Sequence, residues 1–378
     1  MRFLNGYRKN KDMKKALIAM SGGVDSSVAA LKMKESGYDC IGCTMKLFEP
    51  EDAGVERERG CCSLLDVEDA RSVAFRLQIP YYVFNFTDIF RRTVIGHFAS
   101  CYERGITPNP CIDCNRYLKF EALYHRAEVL GCDCLVTGHY ARIERRDGRY
   151  LLKKALDAQK DQSYFLYMLT QEQLAHTVFP LGTMEKREVR AIAEKHGFRN
   201  AGKPDSQDIC FVPDGDYAGV IQRFTGLTPK RGEILDRSGN VLGMHKGIIH
   251  YTVGQRRGLG LSAAKPLYVC EIDAARNVVV LGAREALFIR EAVVGDFHWI
   301  SGEVPRQEVH CGVKIRYRQR EQPAIVTPIA KDLVRILFAE PQRAVTPGQA
   351  AVLYDGETVL GGGTIRNAKQ CNPESKPG

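Results

Sequence analysis

The chain has 378 residues, 44% of them hydrophobic and 26% charged, and its formal net charge is +9. A chain of about this length normally forms two or three domains, each with its own core. No apolar run approaches the roughly 20 residues that a membrane helix needs, and the apolar stretch ALIAM (16–20) is too short for the core of a signal peptide. We therefore expect a cytoplasmic protein without membrane contact. The positive charge is compatible with a polyanionic partner such as RNA.

The chain contains thirteen cysteines. Because no export signal is present, we expect most of them to be reduced, and metal or catalytic roles then outrank a disulfide framework. Each single cysteine is by default a small core residue. A special role therefore has to be argued from spacing and context.

The first two hundred residues alternate strand-like and helix-like segments. The predicted strands are residues 15–20, 39–48, 81–86 and 133–140. The predicted helices are residues 27–37, 66–80 and 115–131. This β-α-β-α order predicts a parallel sheet flanked by helices, with ligand sites at the carboxyl ends of the strands.

The character of the sequence changes near residue 215. Glycines and turn signals become frequent, and the apolar segments become shorter and alternate. Asp355-Gly356 between two alternating runs predicts a hairpin. We expect an N-terminal extension, an α/β domain, a small mixed central domain and a C-terminal β-barrel or sandwich. Their predicted bounds are 1–12 (disordered), 13–215, 216–292 and 293–378.

The stretch AMSGGVDSS (19–27) lies between the first predicted strand and the first predicted helix. Glycines allow a backbone to approach an anion closely, and the amides of a helix N-terminus supply positive potential. Ser21, Ser26 and Ser27 add hydroxyl donors, and Asp25 can hold a magnesium ion. The stretch is neither a Walker loop nor a dinucleotide fingerprint. Its alternative role is a turn that merely connects strand and helix.

Cys111 and Cys114 form a C-x-x-C pair on a loop that Pro108 and Pro110 stiffen. We expect Cys114 at the N-terminal edge of a helix that begins near Asn115. The helix dipole and the unpaired amides there favour a thiolate, which is the form that attacks or binds a metal.

Three further cysteines need to be weighed. Cys132 and Cys134 follow the C-x-x-C pair at the distance of a zinc ribbon, but they form C-x-C and alternate with Val136 onto one face of a predicted strand. Core packing is therefore favoured, and a four-cysteine zinc site is a minor alternative. Cys210 follows a polar stretch and precedes Phe211, so in isolation it would also be a core residue.

The motif S-G-G-x-D-S after a first strand resembles the PP-loop of the ATP pyrophosphatase superfamily, whose members transfer AMP to a substrate oxygen. Further motifs follow in order: TPNPCIDCN (107–115), TGHYAR (137–142), KDQSYFLY (160–167), DSQDICF (205–211), YTVGQRRGLG (251–260), VKIRYRQ (313–319) and TPGQAAVLY (346–354). Together they resemble the MnmA/TrmU-type tRNA-specific 2-thiouridylases over residues 14–365. The resemblance implies an adenine nucleotide alpha hydrolase-like parallel-sheet domain, followed by the small central domain and a C-terminal β-barrel.

The resemblance also implies a reaction. ATP with Mg²⁺ would adenylate the C2 oxygen of the wobble uridine of tRNA, sulfur would attack C2, and AMP would leave. By motif position, Cys210 would carry the sulfur as a persulfide, and Cys114 would free sulfide or form a transient disulfide with Cys210. Beside tRNA, the implied partner is a sulfur donor, either a cysteine desulfurase or a relay protein.

Binding residues are implied by the same motif positions. For ATP they are Ala19, Met20, Ser21, Gly22, Gly23, Val24, Asp25, Ser26, Met45 and Gly138. For tRNA they are Asn109, Pro110, Cys111, His139, Lys160, Asp161, Gln162, Arg316, Tyr317 and Gln349. Independently, the alternation in KIRYRQR predicts four cations on one strand face, which suits a phosphate path or an ordinary solvated face. These cations are Lys314, Arg316, Arg318 and Arg320.

Cys111 stands where many members of this family have aspartate. Cys111, Cys114 and Cys210 could therefore be three ligands of a [4Fe–4S] cluster, with one iron open to bind sulfide. We favour the persulfide as the conventional assignment of the family. Cys61 and Cys62 are adjacent and could form a further redox or metal feature, although spare thiols are the default.

Two other functions compete with thiolation. A PP-loop synthetase of a small molecule would need neither Cys114 nor Cys210, and it would need no β-domain that faces RNA. A non-enzymatic iron–sulfur sensor that binds RNA would leave the SGGVDSS loop unexplained. AMP release triggered by tRNA instead of a small acid separates the first of these from thiolation.

Overall fold

The structure is a computed structural model, which describes residues 13–48, 64–205, 209–212 and 215–369. The strands in these ranges form three sheets. The expected extension 1–12 and the adjacent Cys61 and Cys62 lie outside the described residues. Within the described ranges, no helix is long and apolar enough to cross a membrane.

The first sheet is the parallel sheet that the sequence predicts. Its strands are β1 (Lys15–Ala19), β2 (Asp39–Lys46), β3 (Tyr81–Asn85), β4 (Cys134–Val136) and β7 (Thr177–Val178). They lie side by side in the order β3-β2-β1-β4-β7, and each neighbouring pair is parallel. Leu17 and Ile18 of the central strand are fully buried, as expected where helices cover both faces of a sheet. The predicted α/β fold is confirmed.

Seven α-helical segments, besides three short 3-10 helices, accompany the sheets in the described part of the chain. They are α1 (Val24–Glu35), α2 (Leu64–Arg76), α3 (87–103), α4 (110–129), α5 (Gln171–Ala175), α6 (Lys186–Lys195) and α7 (Tyr217–Thr225). Helices α3 and α4 each contain a π-helical stretch, Arg91–Ile95 and Cys114–Leu123 respectively. Such widened turns are frequent at functional sites.

Helix α4 begins five residues earlier than predicted, so the prediction that Cys114 lies at its N-terminal edge is wrong. The helix starts at Pro110, whose ring fixes φ at a helical value, and the side chain of Asn109 accepts a hydrogen bond from the amide of Cys111 at 3.2 Å. Cys111 therefore lies in the first turn, and Cys114 lies one turn inside the helix.

The last predicted strand of the parallel sheet is shorter than expected. Strand β4 ends at Val136 instead of reaching residue 140, because its outer neighbour β7 has only two residues. The residues after Val136 leave the sheet and turn over its carboxyl edge, where Gly138 meets the backbone of Ser26.

The second sheet belongs to the small mixed region. Its strands are β8 (Gly232–Asp236), β9 (Val241–His245), β10 (Tyr268–Asp273) and β11 (Val278–Gly282). They are ordered β10-β11-β8-β9, with β11 and β8 parallel. Ile234, Val269 and Val279 form its buried centre.

The C-terminal region is a closed antiparallel barrel. Its strands are β12 (Phe288–Trp299), β13 (Val309–Lys314), β14 (Gln322–Ala330), β15 (Leu333–Arg343), β16 (Ala350–Asp355) and β17 (Thr358–Lys369). The order is β12-β15-β14-β13-β16-β17, and β17 pairs back with β12 to close the barrel. Along β15, the alternate residues Val334, Ile336 and Phe338 are fully buried. The predicted barrel is confirmed.

A hairpin from the first two hundred residues joins the barrel's sheet. Its strands are β5 (Arg142–Arg146) and β6 (Arg149–Lys153), and Lys153 pairs with Thr358 of β17. Next to it, the Lys154 amide donates to the Glu357 carbonyl at 2.8 Å. The Lys154 ammonium also reaches Glu321 at 2.6 Å. This hairpin ties the parallel-sheet region to the barrel.

The prediction that four cations form a row on one strand face is wrong. Strand β13 ends at Lys314, and the following residues form a turn in which the side chain of Gln319 accepts a hydrogen bond from the Ile315 amide at 3.3 Å. Because period-two alternation requires a strand, the row does not form. The cations of that row are Lys314, Arg316, Arg318 and Arg320. The Lys314 ammonium is instead held over the ring of Tyr354, 5.1 Å from its centroid.

The barrel core sets a stability prediction. Ile336 is fully buried and pairs with Ala292 and Val326 on the two neighbouring strands. We expect Ile336→Ala to destabilise the barrel by about 2–5 kcal/mol, because a buried side chain is replaced by a cavity. Leu337→Ala is the matched control, since Leu337 is 36% exposed and should cost less than about 1 kcal/mol. Urea unfolding followed by the fluorescence of Trp299 measures both, and equal losses would contradict the assigned core.

Candidate active site

The candidate site lies at the carboxyl edge of the parallel sheet, between β1 and β4. These two strands are neighbours, and the strand order reverses direction there, which is where α/β sheets bind ligands. The loop after β1 and the residues after β4 touch at this point. A Cβ atom added to Gly138 would lie 2.9 Å from the amide nitrogen of Ser26. Only a glycine permits this approach without a shift of the loop.

The glycine–serine loop is folded back on itself. The hydroxyl of Ser26 accepts a hydrogen bond from the Ser21 amide at 3.1 Å and donates to the Gly23 carbonyl at 3.0 Å. Gly22 has a φ of +74°, and a Cβ there would lie 2.3 Å from the carbonyl oxygen of Asp66. Gly23 precedes α1 and provides no side chain to cap the amides of its first turn.

The other residues assigned to ATP surround this loop from the sheet side. Met20 is 2% exposed and donates its amide to the Cys43 carbonyl at 2.7 Å. Val24 is buried, and Ala19 is half-buried. Met45 lies on β2 and packs against the main hydrophobic core. The structure therefore brings these residues together with Gly138 at one sheet edge.

A buried lysine holds the carboxylate of the loop. The ammonium of Lys186 lies 2.7 Å from each oxygen of Asp25 and 2.8 Å from Asp205. Tyr140 donates its hydroxyl to Asp25 at 2.8 Å. Lys160 closes the network at 2.8 Å from Asp205. Asp25 and Asp205 thus share the ammonium of Lys186.

Asp205 is the electrostatic centre of this network. Burial alone would raise its pKa, but hydrogen bonds from Lys160 and Lys186 outweigh burial and lower the pKa of Asp205 to about 2. Arg190 adds a third cation at 2.8 Å. In contrast, burial and the negative charge of Asp25 raise the pKa of Tyr140, so its hydroxyl stays a hydrogen-bond donor.

A second set of polar residues braces the loop from behind. Asn200 donates to the Gly22 carbonyl at 2.8 Å and to the Ser27 hydroxyl at 2.9 Å, and its Oδ1 has no hydrogen-bond partner among the described residues. Lys203 binds Asp66 at 2.6 Å and thereby fixes the start of α2 against Gly22. The sequence interpretation missed this brace, since Asn200 and Lys203 follow the loop only after a long intervening stretch and carry no local motif.

The loop that bears the C-x-x-C pair is held by the barrel. The side chain of Gln349 donates to the carbonyls of Thr107 and Pro108 at 2.9 and 3.2 Å. The amide of Thr107 donates to the Pro347 carbonyl at 3.1 Å. Gln349, which the resemblance assigned to tRNA, is therefore used to support this loop.

Cys210 lies against the same core as Cys114, since both are half-buried side chains packed on one hydrophobic cluster. The ring of Phe211, the next residue, meets the rings of Phe90 and Phe98 in α3 at centroid distances of 5.6 and 5.3 Å. Helix α3 is therefore the element against which the Cys210 segment is anchored.

Cys114 is anchored to the same helix. Its preceding residue, Asp113, contacts His97 of α3 at 2.8 Å. His97 directly precedes Phe98, whose ring packs on Phe211 of the Cys210 segment. One helix, α3, therefore supports both cysteines. Cys111, in contrast, is exposed.

The described side chains are not placed to form an iron–sulfur cluster site or a zinc site. Within the described ranges, no three His, Cys, Asp or Glu side chains are placed to hold one metal ion, and this includes Cys111, Cys114 and Cys210. Cys134 is buried in β4, as expected for a core residue. We therefore derive no chemical step through a cluster.

Three residues that the resemblance assigns to tRNA are buried, and Pro110 in the first turn of α4 is one of them. His139 is 8% exposed and lies between the Thr137 hydroxyl at 2.7 Å and the Lys119 ammonium at 3.4 Å. Burial, followed by the charge of Lys119, lowers the pKa of His139 well below its usual range. Asp161 is 6% exposed and accepts a hydrogen bond from the Ser163 hydroxyl at 3.0 Å. The side chains of His139 and Asp161 are engaged inside the protein.

The remaining assigned residues lie nearer the surface. Gln162 accepts a hydrogen bond from the Tyr140 amide at 2.9 Å and so connects its segment to the site. Arg316 donates to the Ala344 carbonyl at 2.5 Å, and burial lowers its pKa. Tyr317 is half-buried. The barrel thus contributes its turn after β13 to the same side of the molecule as Gln162, because the ring of Tyr317 packs on that segment.

The parallel sheet, the glycine–serine loop at its switch point and the closed barrel define an α/β protein of the HUP class with an appended barrel. The family described as "tRNA methyl transferase HUP domain" matches residues 14–214. The "tRNA methyl transferase PRC-barrel domain" matches 221–283, and the "Aminomethyltransferase beta-barrel domain" matches 289–365.

Near-full-length relatives specify the family further. Proteins named tRNA-specific 2-thiouridylase MnmA are 49% identical in Clostridioides difficile, covering 94% of this chain and 99% of that protein. In Symbiobacterium thermophilum the identity is 51%, covering 94% of this chain and 93% of that protein. The chain belongs to the MnmA family of tRNA-specific 2-thiouridylases, which confirms the resemblance.

One solved structure is also similar. It is a complex of a 4-thiouridine synthetase with RNA and bound ATP, 17% identical, covering 56% of this chain and 53% of that chain, with a TM-score of 0.33. A likeness this low carries no argument.

The charge network above the loop sets a pH prediction. Because the pKa of Asp205 is lowered to about 2, its ion pairs stabilise the fold above the ordinary aspartate pKa near 4, and this stabilisation is lost as the pH falls towards 2. We expect Asp205→Asn to lose about 1–2 kcal/mol at pH 7 and the difference from wild type to narrow below pH 4.

Urea unfolding at several pH values measures this difference. Asp147→Asn is the control, because the Asp147 side chain is 92% exposed and its removal should change little at any pH. A difference for Asp205→Asn that is constant from pH 7 to pH 3 would contradict the assigned network.

Proposed function

We propose that the protein catalyses ATP-dependent 2-thiolation of the wobble uridine of tRNA, with release of AMP and pyrophosphate. The observation that carries this proposal is the meeting, at one sheet edge, of an anion-binding loop and a helix that begins with the C-x-x-C pair. Helix α4 runs back to the start of β4, so its first turns lie at the carboxyl edge. The contact of Lys119 with His139, just beyond β4, supports this placement. Membership of the MnmA family supports it independently.

ATP would bind with its phosphates on the glycine–serine loop. The first-turn amides of α1 and the hydroxyls of Ser21 and Ser26 are donors suited to phosphate oxygens. Met45 and Gly138 would border the adenosine.

Lys186 is the cation that we expect to exchange partners when ATP binds. Its side chain is 11% exposed, and its ammonium is shared by Asp25 and Asp205. A triphosphate carries more negative charge than either carboxylate, so it would draw the ammonium away from Asp25. The freed Asp25 carboxylate is the group that would hold Mg²⁺, an ion that usually combines one or two carboxylates with phosphate oxygens.

ATP would convert the C2 oxygen of uridine into a better leaving group. The C2 carbonyl oxygen of uridine is a poor leaving group, and its attack on the α-phosphorus of ATP would convert it into an adenylate with loss of pyrophosphate. The base has to leave its stack to reach the site. Asn109, Pro110 and the exposed Cys111 are the residues that would face it at the start of α4.

The sulfur step uses both cysteines. A donor such as a cysteine desulfurase or a relay protein would leave Cys210 as a persulfide. Attack of the Cys114 thiolate on the Cys210 sulfur forms a Cys114–Cys210 disulfide and expels hydrosulfide. Hydrosulfide adds to C2, AMP leaves with the former C2 oxygen, and the lost proton leaves a C2=S bond. A thiol reductant then restores both cysteines. This route is supported by the anchoring of both segments on α3.

The tRNA would be held largely through its phosphates. The net charge of +9 favours this. Exposed cations lie on the turn after β13 (Arg318 and Arg320) and on the loop between β9 and β10 (Arg256 and Arg257). Lys160, Arg316 and other residues assigned by motif position would add direct contacts, with the buried His139 and Asp161 acting through the segments that they support.

A [4Fe–4S] cluster on Cys111, Cys114 and Cys210 is the rival route to the same product. The described side chains do not converge in that way. Iron and acid-labile sulfide analysis of anaerobically purified protein separates the two routes, since the persulfide route requires neither bound iron nor acid-labile sulfide in the purified protein.

The two cysteines set the main functional prediction. We expect Cys114→Ser and Cys210→Ser each to lower tRNA thiolation by at least about 10³-fold, because a hydroxyl neither carries a sulfane sulfur nor attacks one. tRNA binding should stay within about twofold, since no phosphate contact is lost. Thiolation is measured as 2-thiouridine in nuclease digests. Cys311→Ser is the matched control in the barrel, and full activity of either site variant would refute the assigned roles.

Lys186 sets a separate prediction for ATP. We expect Lys186→Met to weaken ATP use, measured as kcat/KM for tRNA-dependent pyrophosphate release, by about 10²-fold or more, since a buried cation is removed from the phosphate site. Lys195→Met on the same helix is the control, because Lys195 is exposed in its last turn. Equal kcat/KM values for the two variants would place Lys186 outside the ATP site.

A further inference from the structure

A thiol, an imidazole and a carboxylate form a chain beside the candidate site, and the thiol of this chain has no role in the proposed thiolation. The Sγ atom of Cys101 lies 3.3 Å from Nε2 of His97, and Nδ1 of His97 lies 2.8 Å from Oδ2 of Asp113. Cys101 and His97 are four residues apart on α3, so they lie on one face of that helix. Asp113 comes from α4. We propose that Cys101 is an activated thiol that a small peroxide oxidises to a sulfenic acid.

The arrangement matches the chemistry of an activated nucleophile. A base must contact the thiol, and a third group must orient the base, which is what His97 and Asp113 do here. Hydrogen bonds with Asp113 and then with Cys101 outweigh the opposing effect of burial and raise the pKa of His97 to about 10. The imidazole therefore keeps the proton at neutral pH. Arg104 supplies a second positive charge, with its Nη2 3.7 Å from the sulfur.

Two simpler roles for Cys101 fit the geometry less well. A metal site would need the three side chains to converge on one point, whereas the imidazole lies between the thiol and the carboxylate. Among the described residues no such convergence occurs. An inert core thiol is illustrated by Cys43, which contacts the Ile18 carbonyl at 3.5 Å and whose pKa is raised by burial. Cys101 has two cationic partners instead.

The exposed fractions of Cys101 and His97 limit the size of the oxidant that can reach the thiol. Cys101 is 4% exposed, whereas the side chain of His97 is 48% exposed. A protein-bound persulfide cannot reach such a thiol, but hydrogen peroxide is about as small as water and can approach along the imidazole edge.

The step balances with groups that are present. The Cys101 thiolate attacks one oxygen of hydrogen peroxide, the O–O bond breaks, and the departing hydroxide takes the proton of the His97 imidazolium. The products are Cys–SOH, water and a neutral imidazole, with sulfur oxidised by two electrons and peroxide reduced by two. A neutral His97 no longer forms an ion pair with Asp113, the residue before Cys114, so oxidation would alter the support of the catalytic helix.

The test is site-resolved labelling of the full-length protein. The protein is treated with hydrogen peroxide for increasing times, and catalase ends the reaction. It is then unfolded in urea with a dimedone-type probe, so that a buried sulfenic acid becomes accessible, and the label on each cysteine is measured by peptide mass spectrometry. We expect Cys101 to label at least about tenfold faster than Cys311, because a positioned acid–base contributes about 10²–10⁴-fold to such steps. Burial raises the pKa of Cys311 to about 12, and it serves as the internal reference.

Two histidine variants complete the test. His97→Gln should lower the labelling rate of Cys101 by at least about tenfold. His125→Gln, which removes an exposed histidine paired with Glu128 on α4, should leave the rate unchanged. An unchanged rate in His97→Gln, or equal rates for Cys101 and Cys311 in wild type, overturns the proposal. If His97→Gln does not fold, the wild-type comparison decides. Because neither tRNA nor ATP is present, the result is independent of the thiolation assay.

Discussion

The close approach of Gly138 to the Ser26 backbone is the constraint on which the site depends. Strands β1 and β4 are neighbours, so the segments that leave their carboxyl ends must share one crevice. A side chain at Gly138 would push the glycine–serine loop away from that crevice. With glycine there, the loop and the residues after β4 stay in contact. In the proposed function, the chemistry of the nucleotide would therefore depend on a backbone contact.

The barrel acts on this site although it contributes no cysteine that we assign to the reaction. Gln349 fixes the carbonyls of Thr107 and Pro108, just before the C-x-x-C pair. A protein that used its barrel solely to hold RNA would not need this contact. Because the same barrel carries Arg318 and Arg320 on the turn after β13, the RNA contact that we propose there would be coupled to the position of the thiol loop.

Local sequence signals predicted the features that local physics determines. The glycine–serine loop and the alternating strands of the barrel are examples. The backbone freedom of glycine and the alternation of buried and exposed residues along a strand can both be recognised from consecutive residues. The start of α4 was missed since Asn109 and Pro110 together cap a helix earlier than the apolar period indicates. Strand β13 ends earlier than predicted because the side chain of Gln319 accepts the hydrogen bond of the next amide, that of Ile315. Lys186 and Asn200 could not be found, since their importance comes only from contacts with distant residues.

The hairpin 142–153 has a consequence for biosynthesis. It is made before any strand of the barrel, and its partner β17 emerges only after the other five barrel strands. Until then, β6 presents an open row of amides and carbonyls, which is the kind of edge that pairs with foreign strands. Its arginine-rich sequence, with Arg142, Arg145, Arg146 and Arg149, gives that waiting edge a positive charge that discourages such pairing between nascent copies.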